Sequence, residues 1–335
     1  MKLVILIKKF FNMEKNLLLK INSKFKNYKL FKIESGSSKR LYYRIKDENN
    51  SFILMDSSQE NQEYINFLKV YSILSNINIS IPKIFERNDN ESILILEDLG
   101  NLRFDKILKK YSLKELLEPA VKTLVIFNKE IKFNSSIELN KYSFETLKLE
   151  VGELIEFYYP YIYKKKIPND LKLEFYNCWE KIFNNLELDY QNFVHKDFNI
   201  NNLIFLPDRT DQKKCGVLDF QSAFWGDHCW DLFSLLEDSR VYFNDSHNED
   251  LVNFFYENIN KNISFNDFKK KYNILNCSRQ TRLLGRWIKL NMLLQEDCYL
   301  EFIKVTKRRL INSLNHDYMS NLKNFYYKIF PNLND

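Results

Sequence analysis

Glycine and proline together supply only 12 of 335 residues. The chain therefore has no Gly/Ser-rich or Pro-rich linker, and no repeat or low-complexity stretch takes the place of one. Cysteine is scarce too. Its five copies, at 178, 215, 229, 277 and 298, form no C-x-x-C pair, which argues against a zinc site or a disulfide framework and leaves reduced thiols in a cytoplasm as the simplest account. Long apolar runs are missing. The opening MKLVILIKKFF meets Lys8 and Lys9 after a run too short for a signal-peptide core. No stretch approaches the roughly 18 apolar residues of a membrane span. Met13 is an alternative start, in which case residues 1–12 contribute little. An arginine-rich arm is also absent. The net charge of +6 is mild and spread along the chain, so neither nucleic acid nor a membrane is an expected partner.

What is present is apolar: 45% of the residues, enough for one large core or two unequal ones. The first hundred residues read mainly as short strands. YKLFKIES and RLYYRIKD flank Gly36 and three serines as a hairpin, SFILMDS is a third strand, and IPKIFERNDNESILILEDLG is strand, turn, strand. Between them, residues 59–74 place Tyr64, Ile65, Leu68, Tyr71 and Leu74 on one helical stripe. Beyond residue 101 the period is helical over about 102–131, 142–164, 168–186, 228–240 and 248–328, with one interruption at 193–222. The expectation is an α+β chain: a small β-rich N-terminal lobe, residues 1–100, and a large helical lobe, residues 101–335, with one strand pair inside it.

The interruption carries the chemistry. VHKDFNINNLIF and CGVLDF are apolar runs joined by a polar turn, an antiparallel hairpin whose first strand starts beside the end of its second. Asn202 and Asp219 therefore converge, and Asp197 lies in the loop feeding that end. Two neighbouring carboxylates repel unless a cation offsets them. Mg²⁺, which favours oxygen ligands, suits Asn202 and Asp219, leaving Asp197 to accept a proton from a hydroxyl. His195 is expected to orient the loop. Lys196 either screens phosphate charge or is simply solvated. The spacing His195-x-Asp197-x₄-Asn202 is that of the kinase catalytic loop, and Asp219-Phe220 falls where D-F-G would. No activation segment or A-P-E follows, so a small-molecule acceptor is expected rather than a peptide.

These residues, with SSKRLYYRI, SFILMDSSQE, SIPKIFE, ILILEDLG and RQTRLLGRWIKL, resemble the aminoglycoside phosphotransferase and choline kinase superfamily over residues 28–310. Within it they are similar to the kinases that phosphorylate N-acetylmuramate and N-acetylglucosamine at the anomeric hydroxyl. The resemblance implies a protein-kinase-like two-lobed fold using ATP and Mg²⁺. It implies Asp197 as catalytic base, Asn202 and Asp219 as metal ligands, Asp231 as a buried brace for the catalytic loop, and Glu97 to Gly100, with Glu97 and Leu99, as the hinge that meets adenine. The chain departs from the kinase pattern at Met55-Asp56, where a phosphate-binding lysine would stand. Arg40, Arg44 and Lys39 are the available cations, or else a solvent-facing basic edge, and Ser35, Gly36, Ser37 and Ser38 either offer a reduced phosphate loop or simply turn a hairpin. Ser222 replaces a second aspartate after DFQ. Trp225 offers a face to a sugar ring, although tryptophans more often fill cores. Glu150 and Glu153 share a helical face that could meet sugar hydroxyls or water. Other acceptors (choline, homoserine, an aminoglycoside) and a nucleotide-binding pseudokinase remain alternatives, and the residues do not fix an oligomeric state.

Overall fold

The computed structural model describes residues 28–33, 39–241 and 245–333. The chain divides into two compact units, one of Met1–Tyr111 with Asn201–Ser222, the other of Ser112–Ile200 with Ala223–Asp335.

The first unit is built on a five-stranded antiparallel sheet. Its strands are β1 (Lys29–Ile33), β2 (Leu41–Lys46), β3 (Ser51–Asp56), β4 (Ile84–Asn88) and β5 (Ile93–Glu97), in the order β1-β2-β3-β5-β4. Alternation selects one face of β2, where Tyr43 and Ile45 join Leu54, Ile93 and Ile95 in a core. Four successive residues of β5, Ile93 to Leu96, are all buried. A strand flanked on both sides and covered on both faces needs such a continuous apolar run. Helix α1 (Asn61–Leu74) buries Tyr64, Phe67, Val70, Ile73 and Leu74; of the expected stripe only Tyr64 and Leu74 are buried, Leu68 and Tyr71 are partly so, and Ile65 is exposed. Its Phe67 stacks on Phe220 at 4.7 Å. The hairpin of β7 (Leu203–Phe205) and β8 (Cys215–Val217) belongs to this unit. It pairs Leu203 with Val217 and Phe205 with Cys215. It is also stitched to neighbouring chain, for the Val217 N–H donates to the Ser80 carbonyl at 2.8 Å and the Phe205 N–H to the Leu102 carbonyl at 2.7 Å.

The second unit is helical: α2 (Leu113–Glu130), α3 (Phe144–Glu153), α4 (Asn169–Asn184), α5 (Trp230–Leu236), α6 (Asp245–Asn258), α7 (Phe265–Leu294), α8 (Phe302–Leu314) and α9 (Ser320–Ile329). Ser112 opens α2 with a capping box, its hydroxyl accepting from the Glu115 N–H while the Glu115 carboxylate accepts from the Ser112 N–H. The helix expected from about 102 therefore starts later, and only Phe104–Ile107 is helical before it. No helix of the described residues is long and apolar enough to cross a membrane.

One further pair of strands departs from the expectation of a single hairpin. β6 (Asn192–Val194) pairs antiparallel with β9 (Phe224–Gly226), Phe193 facing Trp225. Three-residue strands, buried throughout, show no alternation to read.

Helix α7, about 45 Å long, is the spine of this unit. It packs against α3, α8 and the π turn Leu154–Tyr158 that extends α3. Gly285 allows the closest approach: a Cβ there would lie 2.0 Å from the Glu153 carbonyl oxygen. Backbone cannot yield as a flexible side chain does. We expect Gly285→Ala to cost about 2–3 kcal/mol, measured as a lowered urea midpoint; an unchanged midpoint would contradict this packing.

Candidate active site

The residues expected to do chemistry fall in both units. In the first unit the β7–β8 register sets Asn202 just before Leu203 and Asp219 shortly after Val217. The Leu218 N–H donates to the Asn202 carbonyl at 2.9 Å, so the two positions adjoin along the ladder. Asp219 has a φ of +60°, a left-handed conformation that Asp tolerates better than most residues. Its Oδ1 accepts from Arg40 Nη2 and from Gln221 Nε2, both at 2.9 Å. Its Oδ2 accepts no hydrogen bond among the described residues, and its side chain is 40% exposed.

Arg40 is 5% exposed. A buried guanidinium needs a counter-charge, which Asp219 provides, with Glu60 Oε2 at 4.0 Å. Burial works against its charge, but Tyr42 and Asp219 outweigh burial and hold its pKa above the ordinary value. Arg44 is committed elsewhere. It pairs with Asp98 at 2.7 Å and donates to the Gly100 carbonyl at 3.1 Å. Arg44, expected as a phosphate cation, instead braces the turn Asp98–Gly100. Burial opposes the Asp98 charge, yet the Ser51 hydroxyl, the Arg44 guanidinium and the Gly100 N–H hold its carboxyl below the usual range. Lys39 is exposed. Ser35, Gly36, Ser37 and Ser38 lie outside the described residues.

The segment expected to serve as hinge follows β5. Glu97 is held by Arg209 at 2.7 Å, and its N–H donates to the Lys83 carbonyl. Gly100, at φ +89°, makes a turn that a Cβ would strain. The backbone N–H and C=O of Leu99 make no hydrogen bond among the described residues. An edge with a free donor and a free acceptor can meet a heterocycle such as adenine.

The chemistry of these oxygen donors fits Mg²⁺, which takes one or two carboxylates and fills its shell with water and phosphate oxygens. The free Oδ2 of Asp219 and the amide of Asn202 suit it. Among the described residues no group of three or more His, Cys, Asp and Glu side chains could hold a metal by itself.

In the second unit, Asp197 is half-buried in a loop braced from α5. Asp231, 4% exposed, accepts the His195 N–H at 2.6 Å and the Lys196 N–H at 3.0 Å. That bond helps hold Lys196 at φ +79°, a conformation costing about 1–3 kcal/mol. The Lys196 N–H thus anchors the loop, while the residue as a whole is partly exposed. His195 is fully buried, edge-on to Phe198. Burial raises Asp231 to about 7, against the pull of its two N–H donors.

The acceptor-side expectations change. Trp225 is 1% exposed and packs edge-on against Phe133 and Phe193, so its ring is spent in the core. Glu150 and Glu153 are paired rather than open to sugar hydroxyls or water. Glu150 meets Arg282 at 3.1 Å and accepts the Tyr142 hydroxyl. Glu153 meets Arg286 at 2.7 Å and Lys289 at 3.3 Å. Sequence reasoning missed Gln221 and Glu60 as partners of the Asp219–Arg40 pair. It also missed the arginines at 279, 282 and 286, whose i, i+3, i+7 spacing was the available signal.

Comparison with known proteins bears on the same segment. Residues 165–256, which span all four aspartate and asparagine positions 197, 202, 219 and 231, match the phosphotransferase enzyme family. The chain is 24% identical over 265 residues to an N-acetylmuramate/N-acetylglucosamine kinase of Pseudomonas aeruginosa, covering 76% of this chain and 75% of that protein. Among solved structures it is similar to the choline kinase LicA of Streptococcus pneumoniae, with a TM-score of 0.60 at 16% identity over 91% of this chain and 99% of that one. It is also similar to the ADP-bound aminoglycoside phosphotransferase APH(2'')-Ib, with a TM-score of 0.58 at 16% identity over 91% and 98%. The fold is therefore the protein-kinase-like one expected from the sequence.

The Asp231 shift has a consequence for stability. An unfolded Asp titrates near about 3.9. Between about pH 4 and 7 the folded chain keeps a proton that the unfolded chain has released, so this group's contribution to stability falls as pH rises. Asp231→Asn removes that slope. The stability gap between wild type and variant should narrow from about pH 5 to about pH 7.5 in urea unfolding; a widening gap would contradict the assignment.

Proposed function

We propose, from a chain that carries a phosphotransferase enzyme family domain, that the protein moves the γ-phosphoryl group of ATP to a sugar hydroxyl, the anomeric hydroxyl of N-acetylmuramate or N-acetylglucosamine. The observation that carries this reading is the Asn202–Asp219 ladder pair with Arg40 on the carboxylate and one carboxylate oxygen free. Relatedness to an N-acetylmuramate/N-acetylglucosamine kinase supports the acceptor.

On this reading Asp197 accepts the hydroxyl proton as the acceptor oxygen bonds to the γ-phosphorus and the bond to the β–γ bridging oxygen breaks, leaving ADP. Leu99 offers its backbone edge to adenine. Asp219 and Asn202 would hold Mg²⁺, which, when bound, neutralises phosphate charge. Arg40, already charged and buried, takes the phosphate role left vacant by the third-strand lysine. A guanidinium can grip phosphate oxygens in pairs. The work is mostly positioning and charge compensation rather than covalent catalysis.

Asp197→Asn should lower kcat for coupled ADP release by about 10²–10⁴-fold while circular dichroism stays unchanged; near-normal turnover would remove the mechanism. Asp219→Asn and chelation by EDTA should each abolish turnover. Arg40→Gln should raise KM for ATP by about tenfold with a smaller effect on the sugar KM. The other acceptors and the pseudokinase are decided by one panel of sugars, choline, homoserine and aminoglycosides. ATP·Mg²⁺ binding in a thermal shift with no turnover on any member would favour a pseudokinase.

A further inference from the structure

Helix α7 carries Arg279, Arg282 and Arg286 at a spacing that puts them on one face. Two of them have obvious work. Arg282 Nη1 donates to Glu150 Oε1, and Arg286 Nη2 meets Glu153 Oε1. Lys289, one turn on, also meets Glu153. So four cations face two glutamates, and Arg279 contacts neither; the carboxylate that acts on it most is Asp238, which is itself paired with Arg240 at 3.0 Å. Among the described residues Arg279 has no hydrogen-bond or ion-pair partner, and its Nη1 is buried. Arg282 Nε and Arg286 Nε are likewise buried with no partner. Each guanidinium has five donors, and leaving charged donors unpaired in a partly buried place is costly. A row whose only purpose was to neutralise Glu150 and Glu153 would not need Arg279.

The row belongs to the neighbourhood of the proposed base. The Asp197 carboxylate acts electrostatically on all three guanidiniums. Burial lowers Arg279 to about 10. Arg282 stays above its ordinary value because Glu150, Asp197 and Glu153 outweigh burial. From Arg279 to Arg286 the helix rises about 10 Å, so a substrate placed with its hydroxyl at Asp197 meets this row with another part of itself. A cationic acceptor would be repelled there, and an anionic one drawn in. The two glutamates cannot serve as acceptors for sugar hydroxyls without releasing their arginines.

We propose that Arg279, Arg282 and Arg286 recognise a carboxylate on the acceptor, so that this chain takes an acidic N-acetylhexosamine in preference to its neutral counterpart. This rests on the sugar-kinase reading and specifies its substrate. Arg279 supplies unspent donors, with Arg282 and Arg286 adding theirs while remaining anchored to α3. Gly285 keeps α7 against α3, which fixes the row relative to its anchors.

The test uses the full chain and coupled ADP release with three substrates: N-acetylmuramate, its methyl ester, and N-acetylglucosamine. With wild type, esterification should lower kcat/KM by about 10- to 100-fold, mainly through KM. Equal kcat/KM for acid and ester, or preference for the ester, overturns the carboxylate site while the kinase reading stands. Turnover of none of the three overturns both. In Arg279→Gln the ratio of kcat/KM for N-acetylmuramate to that for N-acetylglucosamine should fall about tenfold or more, and Arg279→Lys should recover part of it. A ratio unchanged within about twofold overturns the role of Arg279. The ester comparison needs no variant and decides the carboxylate site even where a substitution on α7 prevents folding.

Discussion

The antiparallel register of β7 and β8 is the constraint on which the Asn202–Asp219 arrangement depends. Leu203 faces Val217, Ile204 faces Gly216 and Phe205 faces Cys215. All six are buried. A slip by one residue would turn these side chains to the opposite face and would separate Asn202 from Asp219 by the same step. Burial therefore specifies the positions of polar residues that are not themselves in the core. Gly216 contributes in a second way. A Cβ there would lie 2.9 Å from Leu99 Cδ1 and 3.4 Å from Ile204 Cβ, so its lack of a side chain lets the hinge leucine settle on the hairpin. The hydrogen bonds to Ser80 and Leu102 tie the hairpin to the first unit. This explains why Asn201–Ser222 belongs to the first unit rather than to the helical sequence around it.

The second constraint is that charge removed from water must be answered. Asp231 shows it in the catalytic loop. Its carboxylate is almost fully buried, and two backbone N–H groups address its two oxygens. Those bonds are obtained only if the loop turns sharply, which places Lys196 in a left-handed conformation. The strain and the buried acid belong together: either alone would be unfavourable, and jointly they hold the residues before Asp197 in one geometry. Arg40 and Asp219 follow the same logic. Neither charge is tolerable half-buried by itself, and each fixes the other's side chain.

Much of this was readable in the chain, because the informative signals were long or chemically specific. The sheet strands alternate, α1 shows a helical period, and the turn between LIF and CGV is polar. Asp197, Asn202 and Asp219 have a spacing that few other uses would require. What could not be read follows from physics as well. β6 and β9 are three residues each and buried on both faces, so they carry no period. Trp225 looks the same in sequence whether it stacks on a ligand or on Phe133 and Phe193. Glu150 and Glu153 present a polar stripe to any helical wheel, and only the position of α7 decides that arginines, not water, face it. Arg44 and Arg40 lie on one short segment, but pairing with Asp98 separates their roles, and Asp98 is more than fifty residues away in sequence.

The missing third-strand lysine is the departure that tests whether the remaining residues form a coherent whole. Met55 is fully buried, on the face of β3 opposite Leu54. Asp56, at the end of β3, turns back to accept the Ser58 N–H at 2.9 Å. Those positions are occupied by packing and by a turn, so a cation could not stand there without dismantling both. The charge is supplied instead from the residue before β2, where Arg40 reaches Asp219. An ammonium in that buried place would be a poor exchange. It is strongly hydrated and loses its proton more readily when desolvated, whereas a guanidinium stays charged and spreads its donors over a plane. On the proposed reading Arg40 keeps one N–H on Asp219 while its guanidinium also serves phosphate, so the same side chain would remain engaged when nucleotide arrives. On that reading the absence of the lysine is a relocation of charge within one unit, consistent with retained phosphoryl transfer rather than with its loss.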